Sequence, residues 1–171
     1  MMLPVSELHD FPGHPFQVRD DEEMEKLAES ITQHGVLMPG LVRPRAAGGY
    51  EIVAGHRRKF ASMKAGIREM PVIVREMDDD TAVILMVDSN VQRENVLPSE
   101  KARAYKMKLD SIKRKAGRPS KENSGQLDQN FCNPYSVEKI AQDAGESTKQ
   151  VQRYIRLNEL IPQLLEMVDG N

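Results

Sequence analysis

The sequence predicts an α+β domain followed by an all-α domain of helix-turn-helix type. Short β-prone runs alternate with amphipathic helical patterns through about residue 97, which is typical of α+β folds. A helical pattern over 98–115 follows, then a stretch without apolar periodicity over 116–134, and the rest of the chain shows only helical spacing. The predicted bounds are 1–97 for the first domain, 98–115 for a connecting basic helix, 116–134 for a flexible linker and 135–171 for the helix-turn-helix domain.

Composition limits the class of protein. The chain has 171 residues, of which 39% are hydrophobic and 29% charged, a balance typical of globular domains. No run approaches the ~18 apolar residues of a membrane span, and the N-terminus lacks a signal-peptide layout, so we expect a cytoplasmic protein without membrane contact. The single cysteine, Cys132, excludes an internal disulfide, and the four histidines show no metal-ligand spacing.

Charge is segregated along the chain. The net charge is −2 overall, but it is −6 over residues 1–100, +8 over 101–121 and −4 over 122–171. A dense cationic stretch between two acidic parts predicts either a polyanion contact or a solvated helix face.

The first elements are a short strand over Leu3–Leu8, a loop over Phe11–Pro15 and an amphipathic helix. The helix begins at Asp20 or Asp21, where acidic residues favour a helix N-terminus, and Gly35 follows as its C-terminal cap. Its apolar residues step by three and four and are Met24, Leu27, Ala28 and Ile31.

A hairpin comes next. Leu41–Arg45 and Tyr50–Ala54 flank the turn Ala46–Gly49, which contains two glycines. The second strand leads into Gly55, where the backbone turns without a Cβ clash and a helix begins.

The start of this helix is a candidate anion site. Its first N–H groups lack intrahelical partners, and Arg57 and Arg58 add donors whose forked geometry suits phosphate. The alternative is an ordinary solvated helix start, because the GHRR segment matches neither common nucleotide-binding glycine motif.

Two further elements complete the predicted first domain. The helix after Gly55 ends near Gly66, with Phe60 predicted in the core, and Pro71–Val74 forms a strand. Asp78, Asp79 and Asp80 then precede a helix predicted from about Thr81 to Asp88. We interpret these aspartates as helix caps and dipole partners, although a metal site is the alternative.

A polar run and a long helix follow. Ser89–Asn95 contains amides, one cation and one carboxylate, which suit either a loop or a set of metal and phosphate ligands. From Ser99 a helix carries its apolar face on Ala102, Tyr105, Leu109 and Ile112 and places Lys101, Arg103, Lys106 and Lys108 on its other faces. In the linker, Gly117–Pro119 resembles a minor-groove hook, and an ordinary flexible linker is the alternative.

The last part of the chain predicts a helix-turn-helix. Ser136 caps a first helix, Gly145 makes the turn, and Ser147 caps a second helix over Thr148–Arg156. A third helix over Ile161–Val168 packs behind this pair, and a non-binding helical hairpin is the alternative. The amides, hydroxyl and cations that the second helix exposes suit bases and phosphates, and they are Thr148, Lys149, Gln150, Gln152 and Arg153.

Together these segments resemble the ParB family of chromosome and plasmid partition proteins over nearly the whole chain. HPFQVR at residues 14–19 and SITQHGVLMPGLVRP at 30–44 are similar to the first two boxes of the family. VAGHRR at 53–58 is similar to its GERR box, and SNVQRENVLPSEKARAY at 89–105 to its ENxQR box. The helix-turn-helix lies where the family has one.

The resemblance implies a sulfiredoxin-like N-terminal domain that binds CTP and Mg²⁺, with Asn90 helping to hold the metal. It further implies that centromere-like double-stranded DNA triggers closure of a homodimer into a sliding DNA clamp, that slow CTP hydrolysis allows release, and that a ParA-type ATPase is a partner on the nucleoid. Because the family has further helices and a dimerisation domain, we expect the chain to be a fragment. The nucleotide-binding positions that the resemblance implies are Gln17, Arg19, Gly55, His56, Arg57, Arg58, Asn90, Gln92 and Arg93.

Two positions depart from the family pattern. His56 stands where the GERR box has Glu, and Ser89 stands where the ENxQR box has Glu. The second Glu is a metal ligand and hydrolysis residue in the family, so we expect altered nucleotide binding and a CTPase activity that is weak or absent. Two alternatives stay open: a transcriptional regulator of a mobile element with a degenerate nucleotide site, and a ParB-like nuclease, which would need clustered carboxylates.

Overall fold

The structure, a computed structural model, describes residues 1–93, 95–116, 134–160 and 162–170. It divides into two compact units, Met1–Asp78 and Asp79–Asn171. This division lies upstream of the bound predicted after residue 97, because the helix that begins at Asp79 packs against the long helix of the second unit. The predicted Gly117–Pro119 hook, Cys132 and nearly all of the 116–134 linker lie outside the described residues.

The first unit contains one five-stranded mixed sheet and two helices. The strand order is β1-β5-β3-β4-β2, with β3 antiparallel to β4 and parallel to β5. The predicted hairpin is therefore confirmed. The elements are β1 (Met2–Pro4), β2 (Leu8–His9), α1 (Glu22–His34), β3 (Gly40–Pro44), β4 (Tyr50–Ala54), α2 (His56–Lys64) and β5 (Glu69–Val74).

Apolar side chains on the sheet and on α1 form the core of this unit. Asp21 caps α1, since its carboxylate accepts a hydrogen bond from the Met24 N–H at 3.0 Å, and Gly35 ends the helix as predicted. The helix buries Met24, Ala28 and Ile31 against Ala61 of α2. This packing fixes the direction of α2, whose first turn carries the arginines. The sheet core contains Leu3, Val5, Leu8, Val42, Ile52, Met70 and Val72.

The second unit is all-α in its described residues. The long helix α4 packs against each of the others. Ala102, Tyr105 and Leu109 of α4 are buried, which confirms the predicted apolar face at these three positions. The helices are α3 (Asp79–Asp88), α4 (Pro98–Lys115), α5 (Pro134–Ala144), α6 (Thr148–Leu157) and α7 (Pro162–Asp169).

Four sequence-based predictions of local structure are wrong. Leu3–Leu8 is not one strand, because a 3-10 turn over Val5–Glu7 separates β1 from β2. Phe60 is 36% exposed, since α2 turns Ala61 and Ser62 inward instead. Ser136 is buried inside α5, which begins at Pro134, a residue suited to the first helical turn. Lys108 is buried and not on a solvated face.

No helix in the described part of the chain combines the length and the apolarity that a membrane span requires.

Candidate functional site

The junction between β4 and α2 has the geometry of an anion site. Gly55 adopts φ 110° and ψ 20°, a conformation that favours glycine, and turns the chain directly from the strand into the helix. No side chain caps the N-terminus of α2, so its first N–H groups are not satisfied by a capping residue. A Cβ at position 55 would lie 3.2 Å from Gly40 Cα and 3.3 Å from Arg58 Nη2, so the Arg58 guanidinium packs closely over the glycine.

Both arginines of this junction are held by protein oxygens. Arg58 Nη1 donates to the carbonyls of Met38 at 2.6 Å and Pro39 at 2.7 Å, and Arg57 Nη2 donates to Glu23 at 3.1 Å. Burial lowers the pKa of the Arg58 guanidinium, which nevertheless stays protonated near neutral pH. Because the two bonds of Arg58 use Nη1, its remaining N–H groups leave capacity for a phosphate on the side of Gly55.

His56 occupies the first position of α2 and is buried. Its ring packs on the ring of His14, with centroids 3.9 Å apart. Lys59 Nζ lies 2.6 Å from Asp10 Oδ1 nearby. Partial burial opposes the charge of Asp10, but the hydrogen bond and charge of Lys59, together with His56 and His14, outweigh it and lower the pKa of this carboxyl.

Substituting Gly55 by alanine is expected to lower the free energy of unfolding by about 1–3 kcal/mol, because alanine is strained at this φ and its Cβ meets Gly40. Gly66→Ala is the matched control, since Gly66 also has positive φ, at 70°, but its Cβ would meet nothing within 4 Å. Urea denaturation of both variants measures the difference. An equal loss in both variants would contradict the close packing at Gly55.

The polar run of the second unit contains a buried amide. Asn90 is 1% exposed, and its Nδ2 donates to Met86 O at 2.7 Å and to Ser89 Oγ at 3.0 Å. Its Oδ1 is buried and accepts no hydrogen bond within the described part of the chain. Ser89 Oγ in turn donates to Met86 O at 2.9 Å. The hydroxyl that stands at the position of the family Glu is therefore hydrogen-bonded to the main chain of α3.

The two helices α5 and α6 are joined by a short turn in which Gly145 has φ 69°. Ser147 caps α6 as predicted, since its Oγ accepts from the Gln150 N–H at 3.2 Å. Val151 is fully buried on one side of α6. The five predicted DNA-contacting residues include three exposed side chains, Lys149, Gln152 and Arg153, and two partly exposed ones, Thr148 and Gln150.

The cations of α4 are largely paired with carboxylates. Lys106 contacts Asp110 at 3.0 Å on the surface, and Arg114 contacts Asp80 at 2.6 Å. Further pairs join Lys101 to Glu146 and Lys108 to Asp88 and Asp143. The positive charge that the sequence shows over residues 101–121 is therefore partly compensated inside the unit, and we assign these paired side chains no phosphate contact.

The predicted nucleotide positions fall into two groups. In the first unit, Gly55 through Arg58 lie together at the junction, while Gln17 and Arg19 are exposed in the segment that precedes α1. Asn90, Gln92 and Arg93 lie together after α3 in the second unit. Their roles toward a nucleotide stay predictions.

Sequence reasoning missed two contacts of this site. His14 belongs to the quoted HPFQVR segment, but only the fold shows that it packs on His56. Glu23, the partner of Arg57, lies 34 positions away in the sequence. The position of His14 within the HPFQVR box is the one sequence signal that could have indicated its contact with His56. No sequence signal indicates the second.

Comparison with known proteins identifies relatives that align with nearly the whole chain. The chain is 32% identical over 167 residues to the chromosome-partitioning protein Spo0J of Thermus thermophilus, an alignment that covers 98% of this chain and 54% of that protein. Two solved structures of C-terminally truncated ParB from Caulobacter crescentus are also similar. The one complexed to the centromeric parS site has TM-score 0.64 and 29% identity and covers 97% of this chain and 75% of that one. The one complexed with CTP-gamma-S has TM-score 0.51 and 30% identity, with 98% and 83% covered.

The chain spans about half the length of the Thermus relative, so it corresponds to only part of that protein. The family model of the ParB N-terminal domain matches residues 1–91, which include the whole sheet, the β4–α2 junction and Asn90. The resemblance read from the sequence boxes is thereby confirmed. The chain belongs to the ParB N-terminal domain family.

Proposed function

We propose that this chain is the DNA-binding and CTP-binding part of a ParB-type partition protein that binds a centromere-like site. The observation that carries the proposal is that ParB structures holding parS DNA and CTP-gamma-S each align with nearly the whole chain at about 30% identity. Each of the two structures, one with DNA and one with CTP-gamma-S, therefore aligns with both units of this chain.

The β4–α2 junction supports phosphate binding. It combines a turn at Gly55, where no side chain blocks the approach of a ligand, with the N–H groups at the start of α2 that no side chain caps and with the cations Arg57 and Arg58. Anions are stabilised at such a helix start by the backbone dipoles and by charge-assisted hydrogen bonds. Gly55 and the two arginines would hold the phosphates, and the exposed Gln17 and Arg19 would approach the same triphosphate.

The environment of Asn90 is consistent with the magnesium site that we propose. Its buried Oδ1 lacks a hydrogen-bond partner among the described residues, and an amide oxygen is a suitable ligand for this hard cation. The ion would neutralise part of the phosphate charge when bound. Gln92 and Arg93 are the further nucleotide contacts that we propose in this segment. Because neutral Ser89 replaces an acidic ligand of the family, we propose that CTP hydrolysis is slow or absent.

The remaining family properties are also proposals for this chain. They are a homodimer that closes as a clamp on DNA, a ParA-type ATPase partner and a location on the nucleoid in the cytoplasm. A regulator without a working nucleotide site would show no response to CTP. A ParB-like nuclease would need clustered carboxylates, and over the described residues no group of three or more His, Cys, Asp or Glu side chains is arranged to hold a metal ion.

DNA recognition by α6 is tested with a duplex containing the parS site of the Caulobacter relative and a scrambled duplex. We expect Lys149→Ala and Arg153→Ala each to weaken binding to the parS duplex about 10-fold, because each removes a charge-assisted contact. A phosphate contact would also lower the slope of log affinity against log salt by about one. Lys26→Ala is the matched control, since Lys26 is an exposed lysine of α1. Equal effects in all three variants would contradict the role of α6.

A further inference from the structure

A buried lysine joins three helices of the second unit. The side chain of Lys108, in the middle of α4, is only 2% exposed. Its Nζ lies 2.5 Å from Asp88 Oδ1 and 2.7 Å from Asp143 Oδ2. Lysine is almost never fully buried unless it is paired, so the two carboxylates are what allows this placement.

The two carboxylates come from segments that carry the proposed functions. Asp88 is the last residue of α3 and directly precedes Ser89 and the buried Asn90. Asp143 is the penultimate residue of α5, two positions before the turn glycine Gly145 that leads into α6. Lys108 therefore links Asp88, which directly precedes the amide-rich segment Ser89–Arg93, to the turn between the proposed DNA-reading helices α5 and α6.

A second contact connects the same two segments. Gln92 Nε2 donates to the main-chain oxygen of Asp143 at 3.3 Å. The segment is thus bonded to the end of α5 directly by this hydrogen bond, and its neighbour Asp88 is linked to the same residue through Lys108. Two independent bonds to one residue restrict how far the segment can move without moving α5.

The chemistry of the ion pairs makes this link sensitive to displacement. An ammonium group removed from water keeps its stabilisation only while its carboxylate partners stay within hydrogen-bond distance. If a ligand at Asn90 shifts Asp88, the Lys108 ammonium either moves with Asp88 or loses this partner. In both cases the ion pair between Lys108 and Asp143 changes. Thermodynamic linkage requires that DNA binding changes the affinity for the ligand at Asn90 by the same factor by which that ligand changes the affinity for DNA.

We infer that Lys108, with Asp88 and Asp143, is a positioning residue that couples occupancy of the Ser89–Arg93 segment to DNA binding by α5 and α6. This inference rests on the proposed function, because it takes CTP and duplex DNA as the two ligands. It adds the physical connection between them within this unit. Lys108 itself contacts neither ligand in this account.

The test is the coupling factor, which is the ratio of the Kd values for CTP measured without and with saturating parS duplex, in the presence of Mg²⁺. We expect a factor of about 5 or more for the unaltered chain and a factor near 1 for the triple variant Asp88→Asn, Lys108→Met, Asp143→Asn. That variant removes all three charges together and leaves no buried charge unpaired. Its Kd values for each ligand alone are expected to stay within about threefold of the unaltered chain. Lys106→Met, which changes an exposed lysine of the same helix, is the matched control.

Asp143→Asn alone is the second variant. Its side chain is 36% exposed and retains an amide oxygen for Lys108, so the helices keep a hydrogen bond there while the coupling factor is expected to fall at least about twofold. A coupling factor unchanged in both variants would overturn the inference. A factor of 1 in the unaltered chain with both ligands bound would overturn it while leaving the proposed function intact. Failure of the unaltered chain to bind either ligand alone would instead overturn the proposed function.

Discussion

Replacing Lys108 by alanine is expected to lower the free energy of unfolding by about 2–3 kcal/mol. Removing one partner of a buried ion pair costs about 3–5 kcal/mol when the other charge stays buried. Here Asp88 and Asp143 are 38% and 36% exposed, so water restores part of their solvation and we expect a loss below that range or at its lower end. The variant also leaves two carboxylates close together without the cation between them.

Chemical denaturation of the full chain measures this effect. Lys106→Ala is expected to change the free energy of unfolding by less than about 0.5 kcal/mol, because Lys106 and Asp110 form an exposed pair four residues apart. The triple neutral variant at positions 88, 108 and 143 should recover most of the stability that Lys108→Ala loses. If Lys108→Ala proves as stable as Lys106→Ala, the cluster does not stabilise the unit.

Replacing Arg58 by alanine is expected to raise the Kd for CTP about 10- to 100-fold. A hydrogen bond between charged groups contributes about 1.5–3 kcal/mol, and each 1.4 kcal/mol corresponds to a tenfold change in affinity. The Arg58 guanidinium lies over Gly55 at the helix start, which is where we place the phosphates. Calorimetric titration with CTP and Mg²⁺ gives the Kd directly.

The design must separate phosphate binding from the support that Arg58 gives to the chain before β3, where it holds the carbonyls of Met38 and Pro39. Arg58→Lys keeps the charge with one compact donor group and is expected to fall between the alanine variant and the unaltered chain. Arg75→Ala removes an exposed arginine of the same unit and should leave the Kd unchanged. If cytidine, which has no phosphates, loses as much affinity as CTP, Arg58 acts on the fold and not on the triphosphate.

Much of the fold follows from local patterns in the sequence. The spacing of Met24, Ala28 and Ile31 predicts α1 because periodicity at three and four residues places these side chains on one face. The glycines at 48 and 49 predict the hairpin, since both adopt positive φ in the turn between β3 and β4. Such features depend on neighbouring residues and are therefore visible before any fold is known.

The wrong predictions depend on tertiary packing. Phe60 fits an apolar helix face, but the side of α2 that meets α1 is set by Ala61 and leaves Phe60 partly in solvent. Lys108 reads as a surface residue, because nothing near it in the sequence shows that Asp88 and Asp143, 20 and 35 positions away, supply its partners.

The candidate site divides in the same way. Gly55, Arg57 and Arg58 are close together in the sequence, and the chemistry of a strand, a glycine and a cationic helix start predicts their role. The contacts that surround them, from His14 and from Glu23, depend on how the loop before α1 and α1 itself pack against α2. Sequence reasoning therefore identified the residues of the junction and not their protein partners.

The central claim is that the helix start after Gly55 binds the phosphates of CTP. A crystal structure of the chain with CTP and Mg²⁺ tests it most directly. We predict phosphate oxygens within about 3 Å of the main-chain N–H groups at the start of α2 and of the Arg58 guanidinium. A bound CTP whose phosphates lie away from this helix start, with Arg58 donating only to Met38 and Pro39, would contradict the account.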